Sequence, residues 1–256
     1  MEQNLDTSLG YGAQLFSSMI KNDMVYVDKT RFIHQFLRNI SNIVFLCRPR
    51  RFGKTLLLTT IKAVLEGKVS LFRDLYIGKK RSISDWTISR VIQLDMSLVD
   101  SSPEMVNDSL VNMLQTIASS YAIDIVEKKA GPALTELLNK IYRLPQVAPE
   151  NLEASKSNLL FDPRVAVLID EYDAPLLDHL FEPETSLDVQ TVFRNFYKHL
   201  KASEPVLRFS FITGITQFSE TNVFSHMLNI RDISLNSYFS SICGFTKKEL
   251  KTYFAD

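Results

Sequence analysis

Apolar residues along this chain follow two alternating rhythms, and the alternation predicts the fold class. Nearly unbroken apolar runs occur at Asn42-Ile-Val-Phe-Leu-Cys47, Val91-Ile-Gln-Leu-Asp95 and Val165-Ala-Val-Leu-Ile169, and a longer strand-like run spans Val206 to Ile215. A strand with apolar side chains in both directions must be covered on both faces, as in a parallel sheet between helices. Between these runs the period changes to that of a helix. Phe32, Ile33, Phe36 and Leu37 mark a helix over 29–38, and Leu57, Leu58, Ile61, Val64 and Leu65 mark another over 55–66, with Gly67 suited to its C-terminus. An aromatic-rich helix follows over 188–202, carrying Val189, Val192, Phe193, Phe196, Tyr197 and Leu200, and Arg231-Asp-Ile-Ser-Leu235 reads as a last strand. The prediction is an α/β fold of three layers, with a mostly parallel sheet between two layers of helices.

One segment departs from this alternation. Residues 102–158 predict a helical insertion: Ser102 as N-cap with Pro103 at the first helical position, then Val106, Leu110, Met113, Leu114 and Ile117 at helical spacing. Leu134, Leu137, Leu138 and Ile141 predict a second helix, entered near Gly131-Pro132. Pro145 and Pro149 punctuate the loop before a short third helix. Such a segment serves to cover a site, to read a partner, or simply to pack. The chain as a whole, 1–256, is expected to be one domain containing this insertion.

The candidate chemistry lies at Arg48-Pro-Arg-Arg-Phe-Gly-Lys-Thr55, between the first strand and the helix that follows. A Gly-Lys-Thr triplet at a strand-to-helix junction suits a phosphate-binding (Walker A) loop. Backbone N–H groups and the helix N-terminus hold phosphate oxygens, the lysine reaches the outer phosphates, and the threonine hydroxyl ligates Mg²⁺. The usual leading glycine is replaced by Arg48, so the triplet alone is a weak pattern. Asp170 and Glu171 strengthen it. They end the third strand at the carboxyl edge of the sheet, where open α/β folds bind ligands (the Walker B position).

On these residues the chain resembles the AAA-ATPase-like proteins, many of which carry a PD-(D/E)XK-type nuclease domain after the ATPase domain. The resemblance rests on Tyr26-Val-Asp-Lys-Thr30, Arg48 to Thr55, Leu168-Ile-Asp-Glu-Tyr-Asp173 with Pro175, Phe211-Ile-Thr-Gly214 and Cys243-Gly-Phe-Thr246. It implies that the arginine-proline loop replaces the glycine-rich one, and that the five strands lie in the order 5-1-4-3-2. Only ten residues, Lys247 to Asp256, follow Thr246, so neither the nuclease module nor a helical lid is expected in this sequence.

Composition narrows the classes. Lys plus Arg and Asp plus Glu both count 29, so no net field recruits nucleic acid or an anionic membrane. Nucleic acid enters only by family analogy. Met1 to Gly10 has no apolar signal-peptide core, and no run is long enough to span a membrane. Cys47 and Cys243 are too few for a disulfide framework or structural zinc site, and His34, His179, His199 and His226 have no ligand spacing with them. Cytoplasmic residence follows by default, and the expected partners are ATP and either a second copy of the chain or another protein.

Placed around one Mg²⁺-ATP, residues 48–56 (Arg48, Pro49, Arg50, Arg51, Phe52, Gly53, Lys54, Thr55 and Leu56) would cradle the nucleotide. Lys54 would neutralise the β/γ oxygens, Thr55 and Asp170 would hold Mg²⁺, and Glu171 would orient the attacking water, with Asp173 a lower-ranked base. Arg51, with Arg50, would supply positive charge in cis. For the residue that reads the γ-phosphate, the resemblance points to Thr213, Thr216 or Gln217, Thr213 first. Asp95 and Ser97 either face the site or close a turn, the turn being favoured. The alternatives to an ATPase are a slow nucleotide-bound switch or scaffold, or a truncated regulatory domain of a nuclease-type protein; a small-molecule kinase is disfavoured, because Glu171 directly after the magnesium carboxylate suits water activation better than capture of a hydroxyl substrate. A GTPase is disfavoured, because Asn139-Lys140 continues as Ile-Tyr and not as a guanine-reading motif.

Overall fold

The computed structural model describes residues 15–38, 43–81, 86–145, 159–179, 181–217, 222–224 and 230–254. The expected short third helix of the insertion and the reading of Met1 to Gly10 lie outside them. Five parallel strands form the main sheet: β1 (Ile43–Cys47), β3 (Val91–Asp95), β5 (Val165–Asp170), β6 (Leu207–Gly214) and β7 (Ile230–Asp232). Their order is β3-β5-β6-β1-β7, which is the expected 5-1-4-3-2 read from the other edge. A second, two-stranded parallel sheet pairs β2 (Thr87–Ile88) with β4 (Leu160–Phe161).

The pleat explains why both strand faces are apolar. Along β5, Val165, Val167 and Ile169 face one cluster, and Ala166 and Leu168 face the other. On β1, Ile43 and Phe45 join the first cluster and Val44 and Leu46 the second. The second cluster is covered by α1 (Phe16–Lys21), α2 (Thr30–Arg38), α3 (Lys54–Leu65) and α4 (Tyr76–Lys80). The first is covered by α5 (Val106–Ser120), α6 (Ala130–Arg143), α7 (Ala174–Leu177) and α8 (Pro183–Ala202). The fold is thus a three-layer α/β sandwich, and the insertion helices α5 and α6 supply much of one layer.

Several boundaries differ from the sequence reading for identifiable reasons. Ser102 does not cap α5: its N–H and hydroxyl donate to Asp100 Oδ1 at 3.0 and 2.6 Å, and residues 102–105 form a turn before the helix opens at Val106. The last strand is Ile230–Asp232 and not 231–235, because Asp232 Oδ1 accepts the Ser234 N–H at 2.8 Å and turns the chain out of the sheet. Helix α8 begins five residues earlier than expected, at Pro183, whose fixed φ suits a first helical turn. A short helix α9 (Lys247–Tyr253) follows the Cys243-Gly-Phe-Thr246 segment. No helix among the described residues is long and apolar enough to cross a membrane.

Candidate nucleotide site

The loop leaving β1 is shaped by two residues in the left-handed region, Arg51 (φ 65°) and Gly53 (φ 84°). A Cβ at Gly53 would meet nothing within 4 Å, so backbone conformation alone, not space, favours glycine there. The turn delivers the chain into α3 at Lys54, whose first-turn N–H groups have neither intrahelical acceptors nor a side-chain cap at Gly53. Lys54 is only 5% exposed and curls back over the loop, its Nζ donating to the Pro49 carbonyl at 3.0 Å. Pro49, Arg50, Arg51 and Phe52 are exposed, and Leu56 is half-buried against the core beneath.

Arg48 behaves differently from the rest of the loop. Its guanidinium donates to the carbonyls of Cys47 (2.8 Å), Ser234 (2.8 Å) and Phe239 (3.2 Å). The side chain that replaces the usual leading glycine is therefore committed to framing the loop, and its backbone N–H is committed too, donating to the Gly214 carbonyl at 3.2 Å. Gly244 N–H donates to the Phe52 carbonyl at 3.0 Å, docking the Cys243 to Thr246 segment on the same loop.

Asp170 and Glu171 emerge beside this loop at the carboxyl end of β5. Asp170 is 2% exposed; its carboxylate accepts from the Thr55 hydroxyl and, through Oδ1, from the Glu171 N–H at 3.0 Å. Burial holds its pKa above the usual carboxylate range, against those hydrogen bonds. Glu171 is half-buried, in the left-handed region (φ 48°), and also raised, by burial first and then by the Asp170 charge. A non-glycine residue at positive φ stores strain, here at the point where the chain turns a carboxylate out of the sheet. Asp95 pairs in register with Asp170 on the neighbouring strand. It closes the expected turn, accepting from Ser97 N–H and Oγ at 3.1 and 2.6 Å, while its charge still reaches Asp170 and Glu171.

The next two residues tie this turn to the end of β6. Asp173 is 2% exposed, and its Oδ2 accepts the N–H groups of Ile215 and Thr216. Tyr172 N–H donates to the Thr213 carbonyl at 3.0 Å, and its hydroxyl to the Thr216 carbonyl at 3.1 Å. A side chain at Gly214 would collide with both Tyr172 and Asp173, which is why glycine ends this strand. Asp173, the lower-ranked base of the sequence reading, is thus a buried latch. Thr213 is fully buried and donates through Oγ1 to the Leu46 carbonyl at 2.9 Å, whereas Thr216 is half-buried and Gln217 exposed.

Sequence reasoning assigned no role to Tyr26-Val-Asp-Lys-Thr30, which proves to be a brace. Asp28 accepts from Thr30 and from the Tyr76 N–H, and Lys29, 7% exposed, donates to both oxygens of Glu249 at 2.7 and 2.8 Å. Glu249 in turn completes a capping box with Thr246 at the start of α9. Nothing local in the sequence marks a pair 220 residues apart.

The residues fit Mg²⁺ bound with a triphosphate. A magnesium ion that keeps waters and takes phosphate oxygens needs only one or two protein ligands. Thr55 and Asp170, in contact with each other, are the two residues that would hold it.

Comparison with known proteins gives the family. The family described as Predicted AAA-ATPase matches residues 10–224. The chain is also similar to an "Uncharacterized protein in vnfD 5'region" of Azotobacter chroococcum mcd 1, with 32% identity over 253 residues. That match covers 96% of this chain and 45% of the relative, so the chain spans less than half the relative's length. No solved structure matches. With the loop, the acidic strand and the sheet order in place, the chain belongs to the AAA-ATPase-like family of predicted AAA-ATPases.

Proposed function

We propose that the protein binds ATP in a Mg²⁺-dependent manner and hydrolyses it, coupling the cycle to a conformational change. The observation that carries this reading is the Thr55–Asp170 hydrogen bond, which joins the start of α3 to the end of β5 and brings the two expected metal ligands together. A buried carboxylate with a raised pKa and a hydroxyl beside it suit a divalent cation, which favours the ionised form that burial disfavours. When bound, Mg²⁺ supplies charge neutralisation for the β- and γ-phosphate oxygens.

The chain's own residues do the rest. Lys54 exchanges the Pro49 carbonyl for phosphate oxygens, and the N–H groups of the loop and of the first turn of α3 hold the phosphate chain. Glu171 accepts a hydrogen bond from water and orients it in line with the terminal phosphorus. Arg50 and Arg51, exposed on the loop, supply positive charge in cis. Thr213 acts through the strand pair it joins, leaving Thr216 and Gln217 to meet the γ-phosphate. A slow nucleotide-dependent switch is the second reading, favoured because Arg48 is held on carbonyls away from the phosphates.

Calorimetric titration of Mg²⁺-ATP into parent and Lys54→Ala protein tests the site. Loss of a charge-assisted contact of roughly 1.5–3 kcal/mol should weaken binding at least tenfold. Equal affinities would remove the phosphate loop from this chain's function.

A further inference from the structure

Phe245 is a large aromatic side chain left 60% exposed while held firmly on both sides. On one side Gly244 sits at φ 69°, bonds the Phe52 carbonyl, and packs so closely on the Phe52 ring that a Cβ would come within 3.3 Å of it. On the other side Thr246 caps α9 through its capping box, with Glu249 anchored by Lys29. The ring rests edge-on against Phe254, centroids 5.4 Å apart, and its remaining surface faces solvent one residue from the phosphate loop's backbone partner. What sets Phe245 apart is that an exposed aromatic face is held in a fixed position beside the loop, which is what stacking on a flat ring needs.

Sheet order says what lies there. The carboxylates of β5 are on one side of β1, beyond β6; β7 and the segment leading to Phe245 are on the other. A triphosphate in the loop with its terminal group toward Asp170 and Glu171 therefore directs its nucleoside end toward the β7 side. Arg48 fixes this geometry, because its guanidinium pins residues 234 and 239 of that segment to the end of β1.

We propose that the exposed face of Phe245 is a stacking platform for the base of the bound nucleotide. This deepens the proposed function and rests on it: the loop holds the phosphates and Phe245 holds the base. Stacking on an aromatic face is tolerant of base identity, so the platform contributes affinity for nucleosides over bare polyphosphate more than it selects one base.

The experiment titrates Mg²⁺-ATP and Mg²⁺-tripolyphosphate into parent, Phe245→Leu and Phe245→Trp protein by calorimetry. Leucine keeps the apolar contact with Phe254 and removes the π-face; tryptophan enlarges it. The platform requires about tenfold weaker ATP binding in Phe245→Leu, with tripolyphosphate affinity within twofold of the parent, and parental or tighter ATP binding in Phe245→Trp. An equal change for both ligands, or no change for either, overturns the platform while leaving the phosphate loop intact. A parent that binds neither ligand overturns both readings. If Phe245→Leu alters self-association in sedimentation without altering ATP affinity, the ring is a docking face and the platform is likewise overturned. Should the leucine variant fail to fold, weakened ATP binding by the tryptophan variant overturns it.

Discussion

Replacing Asp173 with Ala should destabilise the protein without removing a reacting group. The carboxylate is 2% exposed and receives the Ile215 and Thr216 N–H groups. Hydrogen bonds to a charged acceptor are worth about 1.5–3 kcal/mol each. The two donors lie in a half-buried loop that water reaches in part, so the lower figure applies and the loss is about 3 kcal/mol. For a chain of 256 residues, an unfolding entropy of about 2.1 cal/mol/K per residue turns this into a fall in Tm of roughly 6 °C. Scanning calorimetry of parent, Asp173→Ala and Asp173→Asn reads it directly. Asparagine keeps one acceptor oxygen and should lose about half as much. Glu171→Gln, which neutralises a half-buried carboxylate in the same turn, should leave Tm at or above the parent's while abolishing turnover. An Asp173→Ala variant melting within about 1 °C of the parent, or an Asp173→Asn variant that keeps full stability and loses all turnover, would refute the latch and return Asp173 to the role of base.

Asp170→Asn should raise the Tm of the ligand-free protein at neutral pH and weaken Mg²⁺-dependent ATP binding, because the raised pKa of Asp170 marks an ionised form that burial disfavours. The sign for pH follows. A carboxylate raised in the folded state favours folding below its unfolded pKa and loses that contribution as pH rises through the folded value, so the stability gap between parent and Asp170→Asn should narrow as pH falls toward 4. Arg48→Ala should cost about 2–3 kcal/mol, measured by urea denaturation, since it frees three carbonyls, whereas Arg50→Ala should leave stability unchanged and slow hydrolysis. Lys29→Met should destabilise by removing the brace between the segment before α2 and Glu249 of α9, and Glu249→Gln in the same background should recover part of it by removing the unpaired charge, as a double-mutant cycle would show.

The sequence exposed the sheet more clearly than the site. Runs such as Val165 to Ile169 are apolar on both faces, and only a covered parallel strand uses such a run, so β1, β3, β5 and β6 were legible within a residue or two. Glycine, lysine and threonine at the end of β1 announced the loop because each answers a separate chemical need. Side-chain direction was not legible. Arg48 and Asp173 are charged residues at plausible positions for catalysis, yet each turns to backbone groups of segments distant in sequence: Arg48 to residues 234 and 239, Asp173 to residues 215 and 216. Thr213 likewise turns inward to Leu46. Two-residue strands such as β2 and β4 carry no period to detect, and β7 was misplaced because an aspartate turn, not hydrophobicity, ends it.

The helices over 106–143 read in sequence as something added between two strands, but α5 and α6 bury Leu110, Leu114, Leu134, Leu137, Leu138 and Ile141 in the same cluster as Ile92, Leu94, Val165, Val167 and Ile169. They are the roof of the sheet. Excising them would not trim an ornament; it would strip the cover from the strands that end in Asp95 and Asp170, leaving a greasy slab that aggregates before it can fold. The segment can change at its loops and outer surface without disturbing the sheet, while its inner surface must match every strand it covers.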